Sequence, residues 1–216
     1  FGFHADNNTA YATNWAYKVA VKAKEISEST NPCIAVMGVK PFLVSQTIGG
    51  DATFERMTPS QIATKISLTG LPDRDSGDSW KTVGPYVTII ATEIKPVNYS
   101  SGTTQFGYSN GAAFLAASMS RLPSYSSVVN KPLYNVEALR YAPTRTQQQA
   151  LSTKGINTVV LNFNKVAVFG EGLTFGQSTS DYTRLSTKRI VDEASLVIRQ
   201  VCQKFIGEPS NIQVRN

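Results

Sequence analysis

A chain of 216 residues and 23.5 kDa can build one full domain or two small ones, each with its own core. With 41% hydrophobic and only 17% charged residues it reads as folded rather than disordered, and no run approaches the ~18 apolar residues of a spanning helix, so no membrane insertion is expected. The net charge of +6 and pI of 9.3 would suit an acidic partner, yet the basic residues are scattered without aromatic interleaving, which predicts a solvated surface and no direct nucleic-acid contact.

The chain starts at Phe1 with no charged-then-apolar signal segment, and it reads as a fragment of something longer. From Asn14 to Ile26, the residues Trp15, Val19, Ala23 and Ile26 recur at helical spacing among Lys18, Lys22 and Glu25, an amphipathic helix. A Ser-Glu-Ser-Thr-Asn-Pro cluster ends it, and Cys33 to Val39 then forms a short continuous apolar run, expected as a strand buried on both faces. Thr58 and Pro59 supply a cap and a first-turn proline for a second helix over Gln61 to Ile66. After a polar loop from Leu71 to Trp80, Tyr86 to Ile94 is β-branched and largely apolar, one strand closed by turn residues at Asn98 to Gly102.

Ala112 to Met119 is an alanine-rich helix bracketed by Gly111 and Pro123. Leu122 to Asn157 is polar and broken by Pro123, Pro132 and Pro143, so it is expected to wrap the outside, with a helical turn at Thr146 to Ser152. Thr158 to Val168 holds two apolar runs around Asn164-Lys165, a two-residue hairpin turn. The last helix is capped by Ser186, carries the stripe Ile190, Ala194, Val197, Val201 and Phe205, and stops at Gly207 and Pro209. Together the elements predict an α/β fold, a mixed β-sheet flanked by helices, with room for a second small α+β lobe in the N-terminal half. Cys33 and Cys202 lie far apart in segments expected to be buried strand and helix, and are read as reduced core thiols rather than a disulfide.

Three patterns suggest chemistry. Gly107-Tyr108-Ser109-Asn110-Gly111 fits the nucleophile elbow G-x-S-x-G before a helix, which would make Ser109 a serine-hydrolase nucleophile. The elbow serine needs a histidine that follows it in the chain, and His4, the chain's one histidine, precedes it near a terminus. A glycine-rich helix entry with Ser109 or Asn110 as N-cap is the simpler reading. In Gly170 to Gly176 the third glycine comes one place late for a dinucleotide fingerprint, and the next helix starts too far on. A flavodoxin-like nucleotide or flavin module is the remaining binding alternative. Asp73, Asp75 and Asp78 lack the terminal bidentate glutamate of a calcium loop, and one histidine with two distant cysteines gives no zinc set, so no metal, cofactor or catalytic residue is assigned.

The C-terminal half carries a more specific pattern. Gly111-Ala112-Ala113 leads to Arg121-Leu122, then comes Gln148-Gln149-Ala150-Leu151-Ser152-Thr153-Lys154-Gly155-Ile156-Asn157, then the strand and turn from Val166 to Phe175. Asp181-Tyr182-Thr183-Arg184 follows, with Lys188-Arg189-Ile190 opening the long helix, and Gly207-Glu208-Pro209-Ser210-Asn211 closes it. In this order the landmarks resemble the tail sheath proteins of contractile bacteriophages, R-type bacteriocins and type VI secretion systems. The resemblance covers about residues 111 to 211, which makes 111 to 216 a sheath core with a long C-terminal helix, while 1 to 110 agree only in α/β character. Phe169 where the family favours tryptophan, Leu173 where arginine is common and Leu185-Ser186-Thr187 in place of an "NVR" run mark a distant branch.

The resemblance implies a structural virion protein without enzymatic activity. Its subunits would stack as hexameric rings into a helical sleeve around the tail tube, joined to a baseplate, and contract to drive the tube through the host envelope for genome delivery. It would assemble in the host cytoplasm and reside in the phage tail. Family arms join subunits by strand addition, and because the stretch after Asn211 is too short to hold the C-terminal arm, the isolated chain is expected to be monomeric. Basic groups of the family face the tube, which makes Lys188, Arg189, Arg199 and Lys204 the candidate tube-facing residues.

Overall fold

The structure is a computed structural model that describes residues 15–29, 31–39, 42–48, 51–56, 58–64, 71, 74–75, 78–97 and 107–206. In chain order these form α1 (Trp15–Ser29), β1 (Ala35–Gly38), β2 (Phe42–Ile48), β3 (Asp51–Arg56), α2 (Pro59–Thr64), α3 (Asp78–Lys81), β4 (Val87–Ile90) and β5 (Glu93–Pro96). The second half continues with β6 (Ser109–Asn110), α4 (Ala112–Arg121), β7 (Val136–Leu139), α5 (Arg145–Thr153), β8 (Ile156–Asn157), β9 (Val159–Leu161), β10 (Ala167–Phe169) and α6 (Leu185–Gln203).

The fold is α/β, with its parallel and antiparallel strands in separate small sheets. A parallel sheet runs in the order β1-β4-β8, an antiparallel one β6-β5-β7, and β2-β3 and β9-β10 are hairpins. All four residues of β4 are buried, as a central strand covered on both faces requires. Its alternate side chains feed two cores. Val87 and Ile89 join Met37, Ile156, Trp80 and Phe175 beneath α1, while Ile90 joins Ile94, Leu115, Phe169 and Leu185 on the other side. Trp80 sits edge-on between Tyr17, centroids 5.6 Å apart, and Phe175 at 5.2 Å.

Several expectations shift. α1 buries Ala16, Ala20, Ala23 and Ser27, a face beside the one through Val19 and Ile26, because small side chains let the helix approach the sheet closely. The strand expected over Tyr86 to Ile94 is two strands in two sheets. Between them Ala91 N donates to Asn157 O, and Thr92 Oγ1 accepts from Val159 N while its carbonyl accepts from Gly111 N, so the chain steps from one sheet to the other. A Cβ at Gly111 would sit 2.9 Å from Thr92 O, which explains the glycine at this crossing. The stretch expected to wrap the outside contains β7 and α5 and buries Val128, Leu133 and Leu151.

Helix α5 has a full capping box between Thr144 and Gln147 and is followed by Gly155 at φ +74. α2 starts as expected, with Thr58 and Gln61 reciprocally bonded; Lys65 and Ile66 lie outside the described residues, as do the turn at Asn98 to Gly102 and the stop at Gly207 and Pro209. The β9–β10 loop is three residues rather than two: Asn162 N donates to Val166 O, and Lys165 takes the left-handed position at φ 57. Ser186 does not cap α6. The N-cap is Arg184, and Leu185 N is satisfied by Gly172 O. Cys33 is half-buried ahead of β1 and Cys202 is exposed on α6, so neither is the core thiol expected.

A buried polar knot ties the parallel sheet to the segment after β10. Asn157 Nδ2 donates to Thr88 Oγ1, Ile89 O and Leu173 O at 3.0, 2.9 and 2.9 Å, and its Oδ1 accepts from Leu173 N at 2.7 Å. Both ends of that amide are hydrogen-bonded, which is what lets it lie fully buried.

Candidate assembly surface

Helix α6 dominates the surface. Two arginines fasten it to the C-terminal ends of other helices, where carbonyls lack intrahelical partners and the dipole favours a cation. Arg189 Nη2 donates to Met119 O at 2.9 Å and Leu122 O at 2.6 Å, and Nη1 to Ser126 O at 3.3 Å, closing the end of α4. Burial lowers the pKa of its guanidinium, with Glu193 opposing. Arg199 Nη1 donates to Ser27 O at 3.3 Å, near the end of α1.

Next to Arg189, Lys188 is buried, ion-paired with Asp192, and its ammonium lies 4.1 Å from the centre of the Tyr86 ring. Tyr86 Oη donates to Glu28 Oε1 at 3.2 Å, and burial followed by the Glu28 charge pushes the phenol up to about 12. Glu28 is held below its ordinary value, first by its hydrogen bond from Lys24. Lys188 and Arg189 therefore have partners within the chain instead of the solvated face their spacing suggested. Arg199 and Lys204 lie on the surface, Arg199 with its bond to α1.

The apolar stripe of α6 points outward. Ile190 is 45% exposed, Val197 51%, Val201 49% and Phe205 50%, with Ile198 beside them at 61%. A continuous apolar face of this kind on a water-exposed helix marks a contact surface. On the inner side of α6, a groove of about 570 Å³ opens between α6, α4 and the chain entering β1, lined by Ile34, Val36, Ala116, Met119 and Leu196 with Asp192 and Glu193. No single segment encodes the groove, and Phe163, expected within a strand, is fully exposed on the β9–β10 loop.

The chemistry candidates do not assemble. Ser109 Oγ is exposed, with a 3.5 Å contact to Ile94 O, and the helix entry is made by Asn110 Oδ1 accepting from Ala112 N at 2.6 Å. His4 and Asp73 lie outside the described residues, and Asp75 Oδ1 accepts from Ser178 N and Oγ. Among the described residues no group of three or more His, Cys, Asp or Glu could hold a metal, and no helix is long and apolar enough to cross a membrane.

No family profile and no curated protein matches the sequence. Solved structures do match. The sheath tail protein of Desulfitobacterium hafniense aligns with TM-score 0.57 and 11% identity over 93% of this chain and 39% of that chain. The anti-feeding prophage helical sheath in its contracted state aligns with TM-score 0.52 and 18% identity, over 72% of this chain and 45% of that one. The PVC sheath complex of an extracellular contractile injection system, also contracted, aligns with TM-score 0.51 and 13% identity over 89% and 58%. The chain thus spans between 39% and 58% of the length of these proteins. Its α/β architecture is the fold shared with contractile sheath proteins.

Proposed function

We propose that the chain is the folded core of a contractile tail sheath protomer, a structural component of a phage tail or phage-like injection machine. The observation that carries the reading is the agreement of two independent lines: the ordered landmarks from Gly111 to Asn211, and a fold matched over most of the chain by sheath proteins, two of them in contracted assemblies. Protomers stack as hexameric rings around a tail tube, above a baseplate, and shorten to drive the tube through the host envelope. Assembly takes place in the host cytoplasm and the product is part of the virion. The arginine fasteners at the ends of α1 and α4 support movement of the core as a rigid body, because they bind α6 to these two helices without relying on a neighbour. Of the four basic candidates, Arg199 and Lys204, exposed near the C-terminal end of α6, are the ones this reading assigns to the tube, and Lys188 and Arg189 act within the core. No catalytic role is assigned: among the described residues the contact of Ser109 Oγ is with the backbone carbonyl of Ile94.

Negative-stain electron microscopy of the complete gene product beside this chain, at equal concentration, tests the reading. Hollow striated cylinders from the complete product, with the isolated chain monomeric, are expected. Discrete small particles under varied salt and with tube protein added would refute it.

A further inference from the structure

The β9–β10 loop ends in an apolar cap that faces solvent. Phe163 is as exposed as in an unfolded chain, and Leu161 and Val166 beside it are each more than a third exposed. The loop that carries them is well tied. Asn162 Oδ1 accepts from Asn164 N and Val166 N, both at 3.0 Å, and Asn162 N donates to Val166 O at 3.0 Å. A phenylalanine held out in water by a fixed turn contributes nothing to the core, whereas exposed aromatic anchors of this sort carry binding energy at interfaces.

The same chain carries a receptor of matching character. The groove between α4 and α6 has an apolar floor of Ile34, Val36, Ala116, Met119 and Leu196, and its 570 Å³ accommodates an aromatic ring with its aliphatic neighbours. Its rim is acidic. Glu193 is exposed there and accepts from Ser124 Oγ, whereas Asp192 is turned inward, one oxygen paired with Lys188 and the other buried. The cation at this groove, Arg189, is directed into three backbone carbonyls. On the hairpin side the charged residue of the 162–166 loop is Lys165. Apolar knob faces apolar floor, and cationic shoulder faces anionic rim.

We propose that the β9–β10 tip of one copy docks into the α4–α6 groove of a second copy, with Phe163 on the apolar floor and Lys165 at the Glu193 carboxylate. Tip and groove are different surfaces, so the contact is heterologous and each copy offers one of each, which repeats from copy to copy into a ring or a helix. The proposal rests on the sheath reading for its partner, a second copy of this chain. One tip in one groove buries less than the ~1,200 Å² of a standard stable interface. The dilute chain therefore remains monomeric, and the contact gains strength through repetition in an array.

Site-directed disulfide trapping tests it on the full 216-residue chain with Cys33→Ser and Cys202→Ser as background. Asn164→Cys, beside Phe163, is mixed at high concentration with a second chain carrying Ser120→Cys at the groove, and mixed dimers are read by non-reducing electrophoresis and mass spectrometry. The Asn164→Cys chain should link to Ser120→Cys about tenfold more than to Gln149→Cys on the exposed side of α5, the scale of one hot-spot residue. Adding Phe163→Ser should abolish the preference. Adding Glu193→Lys to the groove chain should weaken it, and Lys165→Glu on the tip chain should restore it. Equal yields with Ser120→Cys and Gln149→Cys, or a preference that survives Phe163→Ser, would overturn the proposal. Electron microscopy separates it from the sheath reading: cylinders without a tip–groove link leave the sheath and remove this contact, while a link without cylinders does the reverse.

Discussion

Strand β4 and helix α6 are both written in apolar residues, yet the fold treats them in opposite ways. Val87, Ile89 and Ile90 of β4 are almost wholly buried, whereas about half of the surface of each stripe residue of α6 is open to water. In β4 the apolar run stabilises the monomer. In α6 the monomer is held by a different face, through Leu185, Lys188, Arg189 and Arg199, and the stripe is left for a further contact. Hydrophobicity alone therefore does not report which interface a residue serves. Helix α6 is fastened by its charged residues and presents its greasy ones.

The contrast can be broken most forcefully at the knot behind β4. Asn157→Ala leaves Leu173 N without its partner and removes the amide donor from Thr88 Oγ1 and Ile89 O, while Leu173 O keeps its bond from Thr88 Oγ1, and should cost on the order of 2–4 kcal/mol in urea unfolding. A loss under 1 kcal/mol would show that the segment after β10 is not held by this amide. Ile89→Ala should cost about 2–5 kcal/mol through lost burial and a cavity, against a change within about 0.5 kcal/mol for Ile198→Ala. Equal losses at the two positions would erase the distinction between core strand and outward stripe.

Arg189→Ala should destabilise by about 1.5–3 kcal/mol by uncapping α4, and Arg189→Lys should recover only part of it, since an ammonium cannot span three carbonyls as a guanidinium does. Hydrogen exchange should show the loss at the end of α4 first.

The smallest effect is in pH. Tyr86 keeps its proton in the folded state up to about 12, above the ordinary tyrosine value, so the folded state binds more protons in between. Stability from this group is complete below pH ~10 and falls as pH rises to about 12, and Tyr86→Phe should flatten that decline. Glu28, with its lowered value, acts in the opposite direction: its contribution is present above the ordinary carboxylate range and fades as pH falls through its lowered value.

Periodicity and punctuation in the sequence determined the existence of α1, α2, α4 and α6, the cap at Thr58, the hairpin around Asn164-Lys165 and the α/β class, because these depend on neighbours a few residues away. The ordered landmarks of the C-terminal half likewise carry the resemblance to the sheath fold without any long-range contact. Tertiary structure alone decided the rest. It split the segment from Tyr86 to Ile94 between two sheets, drew the polar stretch after Leu122 into the fold, and turned Lys188 and Arg189 inward. It also set the α6 stripe facing out and brought α4, α6 and the entrance to β1 together as one groove. Each of these depends on which distant segment supplies a hydrogen-bond partner or an apolar wall, and a repeat read along one helix or strand says which residues share a face but not what that face will meet.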